Sequence, residues 1–306
     1  MVFDSIIIGG GPAGLAASIY ALRAGLDALV LERLFEGGQL ANIHTAENYP
    51  GFAEISGVDL IGRFVSHAGK YGSRTENEEA LEIAADTSNY KTIFAVKTDQ
   101  NIFKTRTVIV ATGASPAKLN VKGEDLFAGR GVSYCATCDG AFYKGKDVTV
   151  IGGGNTALQD AAYLSRLCGK IYVIHRRDKF RAENYLADAC RGLINVEIVL
   201  DTVLVEVMGN EGVSGIKTKN VKTGAEGEIP VAGVFIAAGL TPATGFVKNL
   251  LDLDEKGFIE TDAYMRTSVP GIFAAGDVRT SPLRQIVTAA ADGAVAARSA
   301  SEFINS

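Results

Sequence analysis

The chain is short of cysteine, of excess positive charge and of long apolar runs, and each shortage excludes a class of protein. Four cysteines among 306 residues are too few for a disulfide framework. A net charge of −5 argues against nucleic acid as the main partner, because phosphate binding needs a basic surface. No apolar run reaches the roughly 18 residues that a membrane helix needs, so we expect no membrane contact. The first residues carry no basic segment, so we expect no secretory signal and a cytoplasmic location.

The composition that remains is that of an ordinary globular protein of about two domains. Hydrophobic residues make up 47% and charged residues 21% of the chain, which is enough apolar material for a core. Glycine is frequent, at 35 residues. Many of these glycines stand at fixed places within motifs.

The first motif is a strand, a glycine-rich turn and a helix at the start of the chain. The apolar run Ser5 to Ile8 predicts a buried parallel strand, and it enters G-x-G-x-x-G at Gly9 to Gly14. A small-residue helix and a second strand ending in Glu32 follow. This order predicts a dinucleotide site in which the helix start holds the phosphates and Glu32 binds a ribose.

The same order returns later, which predicts a second dinucleotide module. The strand Val148 to Ile151 enters G-x-G-x-x-A at Gly152 to Ala157, and a helix and the strand Ile171 to Ile174 follow. The second strand here ends in His175 and a basic run that contains three arginines. Guanidinium groups offer bidentate hydrogen bonds to a phosphate, so this module is predicted to prefer NADPH to NADH. The three arginines are Arg176, Arg177 and Arg181.

Between the two modules lies C-x-x-C, Cys135 to Cys138, followed at once by Asp139. Two cysteines three apart share one face of a helical turn, and Asp139 is placed to move the proton of thiol–disulfide chemistry. Taken alone, this motif is equally consistent with a redox-active pair of cysteines and with half of a zinc site. Cys168 and Cys190 would have to complete that zinc site, but they do not form a second C-x-x-C. We expect both to be buried thiols, and we assign no chemistry to His44 and His67.

Two prolines mark the limits of an inserted domain. Pro116 follows the strand and turn that end at Gly113, and Pro242 follows a similar turn at Gly239. The second module, residues 117–242, is therefore predicted to be inserted into a first domain of residues 1–116 and 243–306. In that last segment Asp277 follows a strand and is placed to bind a cofactor hydroxyl, although a helix cap is an equal alternative by itself.

The order of these motifs resembles, from end to end, that of the low-molecular-weight bacterial thioredoxin reductases. The most specific part is C-A-T-C-D-G, residues 135–140, placed before G-G-G-N-T-A, residues 152–157. The resemblance implies an α/β fold of two Rossmann-like domains, with the NADPH-binding domain inserted into the FAD-binding domain. It also implies a homodimer that transfers hydride from NADPH to FAD, then electrons to the Cys135–Cys138 disulfide and on to thioredoxin.

The resemblance also implies the residues at each site. Cys138 would face the flavin, Cys135 would attack the substrate disulfide, and Asp139 would be the acid–base partner. The FAD contacts would be Gly9, Gly11, Pro12, Ala13, Gly14, Glu32, Gly38, Gln39, Leu40, Asn48, Gly113, Asp277, Arg284 and Gln285. The NADPH contacts would be Gly152, Gly154, Asn155, Thr156, Ala157, His175, Arg176, Arg177 and Arg181.

One departure and two alternatives stand beside this interpretation. Gln159 and Asp160 occupy the place of two glutamates that are usual in the family, which leaves the contacts near the nicotinamide open. A related flavoprotein that uses ferredoxin or oxygen would tend to lack the second glycine motif and the arginines. A non-catalytic redox sensor would leave two nucleotide sites without use.

The resemblance also implies a movement of the inserted domain. NADPH and the Cys135–Cys138 disulfide both belong to this domain and cannot use the same face of the flavin at once. We therefore expect residues 117–242 to rotate about the chain crossings at Pro116 and Pro242 during turnover.

Overall fold

The fold is described from a computed structural model, which covers residues 1–33, 37–43, 45–86 and 92–306. Residues 36–51 have no strong periodicity and are predicted to form an ordered loop, of which Glu36 and His44 lie outside these ranges. The six helices in the described ranges are α1 (Pro12–Arg23), α2 (Gly57–Lys70), α3 (Ala136–Asp139), α4 (Asn155–Leu164), α5 (Asn184–Arg191) and α6 (Ile286–Asn305). Short 3-10 helices are formed by Gly38–Asn42, Gly140–Tyr143 and Gly276–Val278.

Strands account for most of the remaining regular structure in these ranges. The strands before the second glycine motif are β1 (Val2–Ile8), β2 (Ala28–Leu31), β3 (Arg74–Glu76), β4 (Ala80–Asp86), β5 (Ile93–Thr98), β6 (Ile102–Val110), β7 (Ala114–Pro116) and β8 (Val132–Ser133). The later strands are β9 (Val148–Ile151), β10 (Ile171–Ile174), β11 (Val196–Val199), β12 (Thr202–Gly209), β13 (Val213–Asn220), β14 (Glu226–Ile229), β15 (Gly233–Ile236), β16 (Leu240–Pro242) and β17 (Ile272–Ala274).

The chain divides into two compact units. The first comprises residues 1–115 and 241–306, and the second comprises residues 116–240. The predicted boundaries at Pro116 and Pro242 lie within two residues of these divisions. The short strands β7 and β16, which contain the two prolines, pair with each other where the chain passes between the units.

The first unit is built on a sheet with the order β3-β2-β1-β6, all parallel. The long strand β6 has two neighbours besides β1. Its first half pairs antiparallel with β5 of the β4–β5 hairpin, and its second half pairs parallel with β17. Because β17 pairs with β6, residues 272–274 extend the sheet of the first unit.

Alternate residues of the central strands point to opposite faces of this sheet and form two cores. Ile7, Val30 and Ile109 face α1 and α6, while Ile6 and Ile8 face the β4–β5 hairpin. Both faces are covered, which explains why these strands are continuous apolar runs instead of alternating ones.

The second unit contains a five-stranded parallel sheet with the order β11-β10-β9-β15-β8. A separate antiparallel sheet has the order β12-β13-β14. The short alternating segments with glycine turns over residues 195–235 predict one small antiparallel layer on the second module, and this prediction is only partly right. Val196–Val199 pairs parallel with β10, and Gly233–Ile236 pairs parallel with β9 and β8, so both strands belong to the parallel sheet.

Among the described residues, no helix combines the length and the apolar character that spanning a membrane requires.

The packing of α1 against α6 gives a prediction about Gly293. A Cβ added at this glycine of α6 would lie 2.0 Å from the carbonyl oxygen of Ala13, so an alanine forces the helices apart. We expect Gly293→Ala to lower the unfolding free energy by about 1–3 kcal/mol, the usual cost of overpacking. The measurement is thermal unfolding followed by circular dichroism.

Gly62→Ala is the matched control for this substitution. Gly62 is exposed in the middle of α2, and a Cβ there would meet nothing within 4 Å. Alanine at this position should raise stability by up to about 1 kcal/mol through helix propensity alone. A Gly293→Ala protein as stable as the parent would contradict the close helix packing.

Candidate active site

Both glycine motifs form the same hydrogen-bonded turn. In the first unit Gly9 donates its N–H to the Leu31 carbonyl at 2.8 Å, and Ala111 donates to Ile8 at 2.7 Å. In the second unit Gly152 donates to Ile174 at 3.0 Å, and Ala237 donates to Ile151 at 2.9 Å. The internal repeat found in the sequence is thus a repeat of backbone geometry.

The first glycine of each turn has no room for a side chain. A Cβ at Gly9 would lie 2.3 Å from the Ala111 carbonyl oxygen, and a Cβ at Gly152 would lie 2.6 Å from that of Ala237. Each turn leads into a helix whose N-cap is a glycine, Gly11 for α1 and Gly154 for α4. A glycine offers no side-chain cap, so the first N–H groups of each helix point outward, as anion binding at a helix start requires.

The residue at the end of the second strand differs between the two turns. In the first unit Glu32 accepts a hydrogen bond from the Gly10 N–H at 2.7 Å, which fixes one carboxylate oxygen beside the turn. In the second unit the equivalent side chain is His175, which is buried against Gly153. The two modules therefore present an acid in one case and a buried imidazole with an arginine-rich loop in the other.

Several of the predicted flavin contacts are brought together in the first unit. The Asn48 side-chain amide donates to Gln285 Oε1 at 2.9 Å, although the two residues are 237 positions apart. The Gln39 amide donates to the Ser115 hydroxyl at 3.2 Å. Leu40 is buried against α1 and α2.

The turn that carries Asp277 is fixed by side chains that sequence reasoning did not single out. Asp292 accepts hydrogen bonds from the Gly276 N–H at 3.2 Å and from Arg279 Nη1 at 3.0 Å. Arg279 Nε in turn donates to the Thr261 hydroxyl at 2.6 Å. These residues lie far apart in the sequence and share no motif spacing, so no pattern predicts the pairing.

Arg284 binds the loop that follows Asp277. Its guanidinium donates to the backbone carbonyls of Asp277, Arg279 and Ser281 at 3.1–3.4 Å and lies 4.0 Å from the centre of the Phe258 ring. Burial raises the pKa of Asp277, and the positive charge of Arg284 opposes that rise. The structure thus places Arg284 as a brace of this loop.

The redox candidates lie at the start of a one-turn helix in the second unit. Cys135 is the N-cap residue of α3, and its carbonyl accepts hydrogen bonds from the N–H groups of Cys138 and Asp139. The sulfurs of Cys135 and Cys138 are joined in a disulfide, with the two Cα atoms 5.3 Å apart. The helical turn expected from the spacing is therefore confirmed, with Asp139 next to the pair in sequence.

A buried acid supports the residue just before the disulfide. Glu124 is 1% exposed and accepts hydrogen bonds from the N–H groups of Leu119 and Val121 and from the Tyr134 hydroxyl at 2.8 Å. Burial and this hydrogen bond to a carboxylate raise the pKa of Tyr134. Sequence reasoning did not find this network, because its parts are joined across a turn without a recognisable motif.

The last glycine of C-A-T-C-D-G has a packing role. A Cβ at Gly140 would lie 2.9 Å from Cδ2 of Leu164 and 3.1 Å from the Tyr163 ring on α4. The disulfide helix therefore packs directly on the helix that begins at the second glycine motif.

The remaining cysteines are inert by environment. Cys168 and Cys190 are free and buried in the apolar core of the second unit. Burial raises the pKa of Cys168 to about 11 and also raises that of Cys190, so both stay protonated at neutral pH. No group of three or more potential metal ligands is found within the part of the chain that the structure describes.

The departure at residues 159–160 also has an electrostatic consequence. Asp160 lies in α4, and burial raises its pKa to about 7. At neutral pH this carboxyl group is therefore divided between its charged and its protonated form. A surface-exposed acid would be fully charged at the same pH.

The Arg279–Asp292 pair gives a second prediction. The two side chains are only 12% and 16% exposed, and removal of the carboxylate would leave a nearly buried guanidinium without its charge partner. We expect Asp292→Ala to lower the unfolding free energy by about 2–4 kcal/mol. The measurement is again thermal unfolding.

Glu302→Ala on the same helix provides the control. Glu302 pairs with Arg298 at 2.9 Å, but the two side chains are 51% and 78% exposed. An exposed pair of this kind contributes roughly 0.5 kcal/mol or less. Equal losses in the two variants would contradict a special role for the pair beneath the Asp277 turn.

Comparison with known proteins places the chain in a family. A family model described as pyridine nucleotide-disulphide oxidoreductase matches residues 3–293. The thioredoxin reductase of Listeria monocytogenes is 43% identical over 304 residues, which cover 99% of this chain and 94% of that protein.

Solved structures agree with this placement. The thioredoxin reductase from Streptococcus pyogenes is 41% identical, with a TM-score of 0.93 and coverage of 99% of this chain and 98% of that one. The thioredoxin reductase from Lactococcus lactis, described as being in the FR conformation, is 39% identical with a TM-score of 0.68 and 99% coverage of both chains. The chain therefore belongs to the pyridine nucleotide-disulphide oxidoreductase family, and within that family to the thioredoxin reductases.

Proposed function

We propose that this chain is an NADPH-dependent thioredoxin-disulfide reductase that carries FAD on its first unit and NADPH on its second. The observation that carries the proposal is the Cys135–Cys138 disulfide, which begins a helical turn in the same unit as the arginine-bearing dinucleotide motif. Similarity to thioredoxin reductases over nearly the whole chain supports it.

The first unit fits a dinucleotide with unphosphorylated ribose. The N-cap Gly11 has nothing closer than 4.0 Å to the position of a Cβ, so a pyrophosphate can approach the helix start. Glu32 stands beside the turn as a hydroxyl acceptor and would repel a 2′-phosphate. FAD satisfies both conditions. Asn48, Gln285 and Asp277 would supply further polar contacts from the same unit.

The second unit fits a dinucleotide that carries a 2′-phosphate. A Cβ at Gly154 would meet nothing within 4 Å, which leaves the same open approach to the start of α4. Arg176, Arg177 and Arg181 are all exposed after the second strand and can bind a phosphate dianion. His175 would support this loop and not contact the phosphate as a cation, because its ring is buried and its pKa is lowered, chiefly by that burial.

The chemistry at the disulfide follows from the two sulfurs. When bound, NADPH would supply a hydride and FAD would pass on its two electrons, and the Cys135–Cys138 bond would accept them and open to two thiolates. One resulting thiolate then attacks a sulfur of oxidised thioredoxin and breaks the partner's disulfide. The second thiolate attacks the mixed disulfide, which restores the Cys135–Cys138 bond and releases dithiol thioredoxin. Asp139 is placed to hold a proton between these steps.

The proposal includes a change in the arrangement of the two units during turnover. The disulfide and the arginine-bearing motif belong to one unit, and both must exchange electrons with a single flavin. The thioredoxin reductase from Lactococcus lactis is described as being in the FR conformation, and a named conformation in a relative supports the proposal.

Two alternatives and two expectations complete the proposal. A ferredoxin- or oxygen-dependent flavoprotein would not need the exposed arginines, and a redox sensor would oxidise NADPH only slowly with any disulfide acceptor.

The homodimer stays a prediction from the resemblance, and the cytoplasmic location stays a prediction from the sequence. Light scattering of the purified protein measures the first directly.

Serine substitutions at the two cysteines test the proposed function. We expect Cys135→Ser and Cys138→Ser each to reduce thioredoxin turnover at least 1,000-fold, because either one removes the disulfide. Bleaching of the flavin absorbance by NADPH should be retained in both, since hydride transfer precedes the disulfide step. Cys168→Ala should leave both activities intact. Parallel loss of flavin bleaching and thioredoxin turnover in the serine variants would contradict the order of transfer.

The same two variants measure which sulfur attacks thioredoxin. The assignment of that role to Cys135 predicts a reductant-sensitive cross-link to thioredoxin in Cys138→Ser and none in Cys135→Ser. The opposite pattern would move the attacking role to Cys138 while leaving the proposed function in place. The readout is a non-reducing gel.

An engineered disulfide between β7 and β16 tests the change in arrangement. Locking these two crossing strands should permit a single half-reaction, either flavin reduction or dithiol release, but should lower steady-state turnover more than tenfold. The two single-cysteine variants, which cannot form the cross-link, should turn over normally. Full turnover in the locked protein would contradict the proposed rotation.

A further inference from the structure

The exposed arginines lie in a loop that needs an external support. We define the arginine loop as residues 176–181, between β10 and the turn before α5. A loop of long, exposed side chains has high conformational entropy, and a phosphate site needs its donors held in place. The contacts that hold this loop therefore bear on which nucleotide the second unit binds.

One support comes from the residues around Gly153. The His175 ring is buried, and its Nε2 lies 3.0 Å from the Lys179 carbonyl oxygen. The Arg181 and Ala182 N–H groups both donate to the Gly153 carbonyl, at 2.7 and 3.1 Å. The loop is thus hydrogen-bonded to the middle glycine of the motif that would hold the pyrophosphate.

The second support is a reciprocal pair between Asn155 and Glu183. The Glu183 backbone N–H donates to Asn155 Oδ1 at 3.0 Å, and Asn155 Nδ2 donates to Glu183 Oε1 at 3.0 Å. Asn155 is the first residue of α4, and Glu183 is the N-cap residue of α5. This pair, which we call the Asn155–Glu183 clip, joins the starts of the two helices on either side of the loop.

Glu183 could affect NADPH binding in two ways, through its negative charge and through its hydrogen bond to Asn155. An exposed carboxylate two residues from Arg181 repels a phosphate, so its electrostatic effect on NADPH binding is unfavourable. Its hydrogen bond to Asn155, by contrast, fixes the end of the arginine loop. The two effects have opposite signs and can be separated by substitution.

We propose that Glu183 is a positioning residue for NADPH specificity, which acts through its hydrogen bond to Asn155 and not through its charge. The proposal rests on the proposed function, because it assumes that the second unit binds a 2′-phosphorylated nucleotide. It assigns to Glu183 the selection of the 2′-phosphate, and it leaves binding of the remaining nucleotide to the glycine turn.

The experiment compares Glu183→Ala with Glu183→Gln in the FAD-loaded protein. Glutamine keeps an oxygen that accepts from Asn155 but removes the charge, whereas alanine removes both. Dissociation constants are measured by calorimetry for 2′,5′-ADP and for 5′-AMP, which differ in the 2′-phosphate. Glu228→Ala, a change of an exposed carboxylate on β14, is the control for charge alone.

We expect Glu183→Ala to weaken 2′,5′-ADP binding about tenfold, the effect of losing one hydrogen bond that positions the loop, with 5′-AMP changed less than about twofold. Glu183→Gln should bind 2′,5′-ADP at least as tightly as the parent, and Glu228→Ala should match the parent. In steady-state assays the alanine variant should show a raised KM for NADPH with kcat retained.

Two results overturn the inference, and they are distinguishable. If Glu183→Ala and Glu183→Gln both bind 2′,5′-ADP as tightly as the parent or more tightly, the residue acts only as a surface charge. If the parent itself does not prefer 2′,5′-ADP to 5′-AMP, the proposed NADPH function of the second unit fails first. Equal thermal midpoints for the three proteins exclude a loss of folding as the cause.

Discussion

The close approach of a glycine turn to the end of a neighbouring strand is the constraint on which both units depend. At Gly9 and again at Gly152 the backbone passes so near the carbonyl of an alanine that no side chain fits. The hydrogen bonds around the two turns are the same. Each turn leads into a helix whose N-cap is a glycine, and the N–H groups at the helix start are left open to a phosphate. The two predicted nucleotide sites therefore share one backbone arrangement, which occurs once in each unit.

The two copies diverge at a single structural position, which gives each its own chemistry. The middle glycine of each turn faces the residue that ends the second strand, Glu32 in one case and His175 in the other. The acid binds the turn directly and suits a free ribose. The imidazole is buried beneath the turn and fixes a loop of arginines above it, which suits a phosphorylated ribose. This difference supports our proposal that one unit binds the flavin and the other binds the electron donor.

Much of this was predictable from sequence, and the reasons are local. Strands such as Ala28–Leu31, Val148–Ile151 and Ile171–Ile174 are short, largely apolar runs flanked by polar residues or glycine, so the adjacent residues indicate where each strand begins and ends. The helical turn of C-x-x-C follows from its spacing. By contrast, the antiparallel layer predicted over residues 195–235 puts Val196–Val199 in the wrong sheet, because the residues of this strand fit either sheet and its pairing partner is decided by the fold.

The supports of the site were not predictable, because they join distant residues without a repeated spacing. The Arg279–Asp292 pair, the Glu124–Tyr134 hydrogen bond and the Asn155–Glu183 clip each connect different elements. From a single sequence, an acidic residue that holds a loop by hydrogen bonds cannot be distinguished from an acidic residue that is exposed to solvent. Burial and distance distinguish the two, and both require the fold.

The measurement that bears most directly on the central claim is steady-state oxidation of NADPH and of NADH with a disulfide dye, with and without added thioredoxin. We predict dye reduction that depends on thioredoxin, because the Cys135–Cys138 disulfide passes electrons to that protein. We also predict a rate at least tenfold higher with NADPH than with NADH, because the arginine loop of the same unit binds the 2′-phosphate. Dye reduction that proceeds equally without thioredoxin, or equally fast with NADH, would contradict it.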